Sequence, residues 1–329
     1  MRGPGAEPLA GCGAEPHGLR KGCKVLSNKV SKDYYGYVFM APFILIFLTF
    51  IMVPIANTFY LSLTDARIRP GSWGGDFVGL ENFISLLGEP MFQLAVRNTW
   101  MLWLFNFVPQ MILALVLAAM FTSTTFKLKG TGFFKASYYL PNLLMPVTIA
   151  ALFQSFLDIF GPINQIMVGG LGIWETARNF LQNATDVRFT VIFLQTWMWF
   201  GQTAIVLVAG MTAISPSLYE SAMIDGASQV KMFFAITIPL LKPILLFVLV
   251  TSLVGGLHMF DIPHLLAGSF GNPGNSVLTV NMLMNNRRGA PSLLLGNSAA
   301  ISVLLFFMSS FVALLVFRLF RDPAEKRRG

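Results

Sequence analysis

The chain has 329 residues, of which 55% are hydrophobic and only 12% are charged. A soluble domain carries about twice that charged fraction, and apolar stretches of about 18 residues or more recur here, so the composition excludes one large soluble core and indicates several membrane spans. The formal net charge of +8 comes mostly from basic residues beside apolar stretches, a pattern typical of membrane topology and not of a nucleic-acid surface.

Residues 1–36 precede the first apolar stretch and are predicted to form a cytoplasmic tail that is disordered in its first part. This tail is rich in Gly, Pro and basic residues and contains no apolar run, so it does not resemble a secretory signal. Both cysteines of the chain, Cys12 and Cys23, lie in the tail, and they predict neither a metal site nor a disulfide framework.

Six apolar segments of about 20 residues or more follow, the length that a helix needs to cross the hydrocarbon layer. They lie near 37–61, 98–121, 137–157, 189–213, 244–266 and 299–320. The third contains Pro141 and Pro146, and the fifth contains two glycines and a proline, so both are expected to face protein or a cavity, where freed backbone groups find partners. The sequence therefore predicts an all-α integral membrane protein with six transmembrane helices.

The distribution of Lys and Arg predicts the orientation of these helices. Sixteen of the 23 basic residues lie in the tail, in the loops 122–136 and 214–243 and from Arg318 onward, which share one side of the membrane if there are six spans. The richer side is expected to be cytoplasmic. Both termini, the basic end 321–329 included, are therefore predicted to be cytoplasmic, and the protein is predicted to lie in the cell (inner) membrane.

Tryptophans mark several predicted span ends. Trp73, Trp100, Trp103 and Trp174 lie near these ends. Because the amphipathic indole ring prefers the boundary between lipid and water, most of these side chains are expected to be interfacial anchors.

The loop 214–243 contains signals for a short helix. Ser217 and Glu220 have the spacing of a capping box, in which each side chain bonds the other's backbone N–H. Gly226 suits the left-handed residue that closes a helix. These signals predict a helix over Leu218–Asp225.

A second short helix is predicted to start at Ser228 and to stop before Pro239, because proline breaks the helical hydrogen-bond ladder. A two-turn helix is unstable alone, so the first helix needs tertiary support and suits docking into the groove of a partner. A loop that merely connects two spans fits the same spacing.

Three parts of this loop carry a resemblance to a known family. They are Glu220-Ser221-Ala222, Asp225-Gly226-Ala227 and the run ITIPLLKP at 236–243. In pattern and in place, between the fourth and fifth of six spans, they resemble the EAA loop of ATP-binding-cassette (ABC) importer permeases, which usually have alanine where this chain has Ser221. The resemblance covers roughly 37–321. Two further segments resemble the carbohydrate-uptake subgroup, similar to maltose and multiple-sugar permeases: VRNTWMLW at 96–103 and MFDIPHLLAGSFGNPGNS at 259–276.

The resemblance implies a type I permease fold, with a first transmembrane helix at 37–61, a five-helix core at 96–320 and a cytoplasmic coupling helix in the loop 214–243. It implies four kinds of partner: a second permease subunit, different or identical, two ATPase subunits that bind ATP and Mg²⁺, an extracytoplasmic solute-binding protein and a carbohydrate substrate. The residues that it assigns to ATPase coupling are Glu220, Ser221, Ala222, Asp225, Gly226, Ala227 and Pro239.

The chain itself is expected to be a transport subunit and not an enzyme. It contains no G-x-x-x-x-G-K-[ST] phosphate loop, so no ATPase site of that type and no cofactor are predicted in it. No catalytic residues are predicted, because its few charged residues are scattered along the chain. No metal site is predicted either, because the histidines are isolated.

Polar and aromatic residues within the spans are the candidates for a substrate path, because such groups are costly in lipid and indicate function. They are Asn106, Gln110, Gln195, Trp197, Trp199, Phe200, Gln202, His258, Phe260 and Asp261. The predicted function is the permease subunit of an ATP-driven importer for a sugar or oligosaccharide. A permease for glycerol phosphate or another polar solute is an alternative, and an ion-coupled secondary transporter or a membrane enzyme is a more distant one.

Overall fold

The computed structural model describes residues 32–69, 72–122, 130–289 and 293–320. Most of the predicted tail 1–36, with Cys12 and Cys23, lies outside the described residues, as do residues 123–129 and the basic end 321–329. The chain divides into two compact units, Met1–Pro54 and Ile55–Gly329. The helices Lys32–Phe47 and Val53–Ser62 are joined by the π-helical turn Leu48–Met52.

Helices dominate the described part of the second unit. The remaining α-helices are Glu81–Gly88, Pro90–Thr122, Thr131–Leu143, Pro146–Leu157, Pro162–Asn164, Ala184–Thr212, Pro216–Ile224, Gln229–Met232, Ile238–Leu240, Lys242–Leu257, Asp261–Ala267, Val280–Arg288 and Leu295–Phe320. Two π-helical turns and one 3₁₀ turn lie between them, at Gln165–Gly170, Phe233–Thr237 and Phe180–Gln182. The strands Arg67–Arg69 and Ser72–Gly74 form an antiparallel pair.

The predicted number of membrane spans is confirmed, because the described residues contain six helical segments long and apolar enough to cross a membrane. They are called the first to the sixth span in chain order: Gly36–Ser62, Pro90–Thr122, Pro146–Gly170, Ala184–Thr212, Lys242–Ala267 and Leu295–Arg318. The second span is longer than predicted, since its helix begins at Pro90, ahead of the most apolar stretch.

The predicted boundaries of the third span are wrong. Residues 137–157 are not one helix, because the first part ends at Leu143 and a new helix begins at Pro146. Met145 between them is extended, with ψ of 136°, since the proline ring disfavours a helical conformation in the residue before it. The third span is displaced toward the C-terminus and covers Pro146–Gly170.

The second and fourth spans pack closely in the second unit. Buried alanines on both helices let the two backbones approach. Gln110 Nε2 donates to Thr203 Oγ1 at 2.8 Å, and Thr196 Oγ1 lies 3.3 Å from Asn106 Oδ1. These contacts hold two amide side chains inside the helix bundle.

Trp103, one of the four tryptophans of which most are expected to be interfacial anchors, is instead buried. Its side chain is 8% exposed, and its ring stacks on Phe107 with centroids 5.4 Å apart. Its Nε1 donates to Ser252 Oγ at 3.3 Å, and the ring lies directly against Gly256. Because the helix begins at Pro90, Trp103 lies about three and a half turns inside it and not at its end.

Elements outside the spans are joined to one another by polar contacts. Asn82 Nδ2 donates to the carbonyl oxygen of Thr64 at 2.8 Å, which ties the helix Glu81–Gly88 to the segment before it. Arg287 donates from Nη2 to Glu89 Oε1 in an ion pair. This pair joins the start of the second span to the helix Val280–Arg288.

Candidate functional site

A cavity of about 330 Å³ lies between the second, fourth and fifth spans. Eight polar or aromatic residues that the sequence proposes for a substrate path line it: Asn106, Gln110, Gln195, Trp199, Gln202, His258, Phe260 and Asp261. The other two, Trp197 and Phe200, do not line the cavity. Trp197 packs on Phe153 with ring centroids 5.8 Å apart, and Phe200 lies beside Tyr138 with ring centroids 6.3 Å apart. The fold thus gathers residues that are as much as 155 positions apart in the chain.

Helical spacing explains why the cavity residues of the fourth span share one face. Gln195, Trp199 and Gln202 are separated by four and three positions, so they project from the same side of the helix. Trp199 Nε1 donates to Gln195 Oε1 at 3.1 Å, which orients both side chains. Asn106 and Gln110 are four positions apart on the facing second span.

A break in the fifth span supplies the remaining polar groups. The helix Lys242–Leu257 ends at the cavity wall, and the next helix starts at Asp261. Phe260, which precedes that start, has φ −138° and ψ −57° and stacks on His264 with ring centroids 4.7 Å apart. Because residues 258–260 are not helical, the side chains of His258, Phe260 and Asp261 can all face the cavity.

Three hydroxyl residues of the cavity wall were missed in the sequence: Thr203, Thr251 and Ser252. Hydroxyl side chains are common in membrane helices, where they often bond the backbone of their own helix, and Thr251 Oγ1 does so with the oxygen of Phe247 at 2.8 Å. Such residues carry no sequence signal that separates a binding role from this local one.

The described side chains that line the cavity can bind a polar solute through hydrogen bonds. Its amides can donate and accept hydrogen bonds, and Asp261 can accept them. Among the described residues, no group of three or more His, Cys, Asp or Glu could hold a metal ion. The site therefore has the chemistry of recognition by hydrogen bonds and aromatic faces.

The short helix predicted between the fourth and fifth spans is present at Pro216–Ile224 and is called the loop helix. The predicted capping box is wrong. The N-cap residue is Ser215, because Pro216 occupies the first helical position, and no side chain caps this end. Ser217 Oγ instead lies 2.9 Å from Ser215 Oγ, and Glu220 sits too far along the helix to bond its N-terminus.

The end of the loop helix follows the predicted chemistry. Gly226 has φ +72°, and its N–H donates to the oxygen of Met223 at 3.0 Å. Ala227 N donates to the oxygen of Ala222 at 2.9 Å, so two carbonyls of the last turn are satisfied. Asp225 lies between, as the residue that ends the helix.

The second short helix begins as predicted but does not end as predicted. Ser228 Oγ accepts from Lys231 N at 3.3 Å and caps the helix. Helical structure then continues past Pro239 to Leu240. The wider π-helical turn Phe233–Thr237 precedes the proline and relieves the ladder that its missing N–H would interrupt.

The loop helix is tied to this second helical segment and exposes most of its own surface. Tyr219 Oη lies 2.9 Å from the hydroxyl of Thr237, a residue that is 4% exposed. Glu220 and Ser221 are exposed, and the apolar side chain of Ile224 is 87% exposed. Ala222 is half-buried. Within the described residues, most of the surface to which the sequence assigns ATPase coupling is therefore exposed and available to a partner.

Six apolar spans, a polar cavity among them and a short helix between the fourth and fifth define a membrane transport component. Residues 99–321 match the family model described as binding-protein-dependent transport system inner membrane component. The chain belongs to this family and is a multi-pass inner-membrane protein.

Within the family the chain is similar to sugar permeases, as the sequence predicts. The lactose transport system permease protein LacF of Rhizobium radiobacter is 32% identical over 302 residues, which cover 90% of this chain and 98% of LacF. The arabinooligosaccharides transport system permease protein AraP of Bacillus subtilis is 31% identical and covers 88% of this chain and 89% of its own length.

The fold is shared with a chain of a solved transporter. A chain in the crystal structure of a bacterial ABC transporter involved in the import of the acidic polysaccharide alginate superimposes with a TM-score of 0.74 at 23% identity. The match covers 89% of this chain and 97% of that chain. At this identity the likeness establishes the fold alone.

Proposed function

We propose that the chain is one permease subunit of an ATP-driven ABC importer and forms part of the path for a neutral sugar or oligosaccharide. An extracytoplasmic binding protein delivers the solute, and a second permease subunit, different or identical, completes the path. Two separate ATPase subunits bind ATP and Mg²⁺. Both termini and the loop helix lie on the cytoplasmic side, which the excess of Lys and Arg supports.

The composition of the cavity carries this proposal. Its four amide side chains pair well with hydroxyl groups, each of which can donate and accept a hydrogen bond. Trp199 and Phe260 offer apolar faces on which a sugar ring can lie. A volume of about 330 Å³ is near the lower end of ordinary ligand pockets, so it suits a small saccharide or one end of a longer one.

The charge of the cavity favours a neutral solute over glycerol phosphate. No Arg or Lys is among the described residues that line it, and Asp261 adds a carboxylate. Phosphate is usually bound by arginine, whose planar group forms paired charge-assisted hydrogen bonds. A phosphorylated solute would therefore meet repulsion from Asp261 without a compensating cation on this chain.

The loop helix is the proposed contact with an ATPase subunit. Its exposed Glu220 and Ile224 suit a groove with both polar and apolar walls. The Tyr219–Thr237 hydrogen bond ties the loop helix to the segment that enters the fifth span. When ATP binding closes the ATPases, the loop helix and that segment then move as one body, and the fifth span carries the motion to the cavity.

Reconstitution tests the assignment. The chain is co-purified with the partner permease, ATPase and binding protein of its complex, and uptake of radiolabelled lactose, arabino-oligosaccharide and glycerol 3-phosphate into liposomes is measured with and without ATP. We expect ATP-dependent uptake of a neutral saccharide. Gln202→Leu should lower it about ten-fold, the factor that one or two lost hydrogen bonds represent.

The matched control is Gln93→Leu, which changes a glutamine outside the cavity whose amide donates to the oxygen of Leu87. We expect uptake to be unchanged in this variant. Saccharide uptake that persists without the ATPase subunits would instead support an ion-coupled transporter. Uptake of glycerol 3-phosphate alone would overturn the assignment of a neutral sugar.

A further inference from the structure

The start of the second span carries two buried polar side chains that lie outside the cavity. Asn98 is 1% exposed and Thr99 is 0% exposed. Asn98 Nδ2 donates to the backbone oxygens of Asn275 at 2.8 Å and Leu278 at 3.2 Å. Thr99 Oγ1 accepts from Val280 N at 3.0 Å. Both side chains therefore bind the backbone of one distant segment.

That segment, residues 275–281, which we call the brace segment, reaches the break in the fifth span. Thr279 Oγ1 donates to the backbone oxygen of Met259 at 2.8 Å, and this contact is buried. Asn281 Nδ2 donates to the backbone oxygen of His258 at 3.0 Å. The brace segment thus bonds two consecutive residues of the break, both of which line the cavity.

The sequence of the fifth span explains why the break needs a donor from elsewhere. In a continuous helix the oxygen of Met259 would accept from the N–H four residues later, but that residue is Pro263, which has no N–H. A backbone oxygen without a partner is costly inside a membrane. The hydroxyl of Thr279 takes the place of the missing donor.

The fourth span holds the brace segment as well. Arg188 Nε donates to the backbone oxygen of Ser276 at 3.0 Å. Hydrogen bonds from the second and fourth spans therefore converge on a short stretch of backbone, and hydrogen bonds from that stretch continue to the fifth span. The same three spans form the walls of the cavity.

We propose that the brace segment positions His258, Phe260 and Asp261 in the cavity wall, and that Thr279 is its principal positioning residue. The inference rests on the proposed function, in which this cavity is the sugar site. Thr279 does not line the cavity; it acts through Met259. Asn98 and Thr99 act one step further away, by fixing the backbone on which Thr279 stands.

Thr279 also caps the helix Val280–Arg288, so a test must separate two roles. Its Oγ1 accepts from Met282 N at 3.3 Å while it donates to Met259. Thr279→Ser keeps both hydrogen bonds, and Thr279→Val removes both. Asn281→Ala removes only the bond to His258 and leaves the cap in place. Its matched control is Asn286→Ala, since that asparagine lies on the same helix and bonds Ser269 outside the break.

The experiment measures how often the break opens, and it needs neither sugar nor ATP. Cys12 and Cys23, the chain's two cysteines, are replaced by serine, and Met259→Cys is introduced. Met259 lines the cavity but is only 5% exposed, so a cysteine there is largely shielded while the break is held. The complete importer complex in liposomes is treated with N-ethylmaleimide, and the rate of labelling is measured. We expect Thr279→Val to raise this rate about five-fold, the factor that one buried hydrogen bond represents, and Thr279→Ser to leave it unchanged.

Equal labelling rates in Thr279→Val and Thr279→Ser would overturn the proposal, since a residue that only stabilises the fold lowers the yield of the complex and not the opening of one site. If Thr279→Val does not assemble, Asn281→Ala and Asn286→Ala decide, with faster labelling expected only in the first. Equal labelling rates in Asn281→Ala and Asn286→Ala would also overturn the proposal. Because no solute is present, the labelling assay can refute the role of the brace segment while the sugar assignment stands. The uptake assay can likewise refute the sugar assignment while the role of the brace segment stands.

Discussion

A residue with a side chain in place of Gly226 is expected to uncouple ATP hydrolysis from uptake. Its φ is +72°, and no atom outside its chain neighbours lies within 4 Å of the place where a Cβ would stand. A substitution therefore causes no collision, and its cost is that of the left-handed backbone, about 1–2 kcal/mol for an L-residue. Such a cost changes the population of the native helix end about five- to thirty-fold.

We expect Gly226→Val to lower uptake by about that factor relative to Gly226→Asn, because asparagine visits the left-handed conformation more readily. ATP hydrolysis and the amount of protein in the membrane should change little, since the site is exposed. Both rates are measured in liposomes that contain the complete complex. Gly88→Val is the control, since that glycine also has open space but no positive φ. Equal uptake in the valine and asparagine variants would refute the argument that the end of the loop helix couples the two activities.

Three further outcomes are expected. Glu220→Lys should abolish uptake but not membrane insertion, because the side chain is exposed and reverses its charge on the proposed docking surface; normal uptake would contradict that role. Gly256→Val should lower thermal stability by about 1–3 kcal/mol through collision with the Trp103 ring, whereas Gly255→Val, in open space, should not, and equal melting temperatures would contradict this packing. Tyr219→Phe should lower uptake per ATP hydrolysed by loosening the loop helix from the next helical segment; an unchanged ratio would show that this bond carries no motion.

The spans and much of the cavity wall could be predicted because each depends on local rules. A helix must be about 20 apolar residues long to cross lipid, whatever surrounds it. Polar residues four positions apart, such as Asn106 and Gln110, must share a helix face. Trp197 is an equally good candidate for the cavity wall by residue type, but its position in the helical repeat directs its ring toward Phe153.

Other predictions failed where a neighbour in space or in sequence decided between two permitted structures. Pro146 breaks the predicted span 137–157 because it makes Met145 extended, although both flanking stretches are apolar enough to continue. Ser217 has the spacing of an N-cap, but Pro216 occupies the first helical position, so Ser215 is the N-cap residue. Trp103 lies near the start of the predicted second span, but in the structure its helix begins at Pro90 and Trp103 lies well inside it.

Composition and spacing alone were enough to place this protein in a membrane, to count its helices and to mark the loop that resembles a coupling site, because those features follow from the length and chemistry of short segments. Folding was needed to show that Asn98 and Thr279 meet the backbone of residues far along the chain. Their partners are main-chain oxygens, which every residue carries, so the pattern of side chains in the sequence cannot predict these hydrogen bonds.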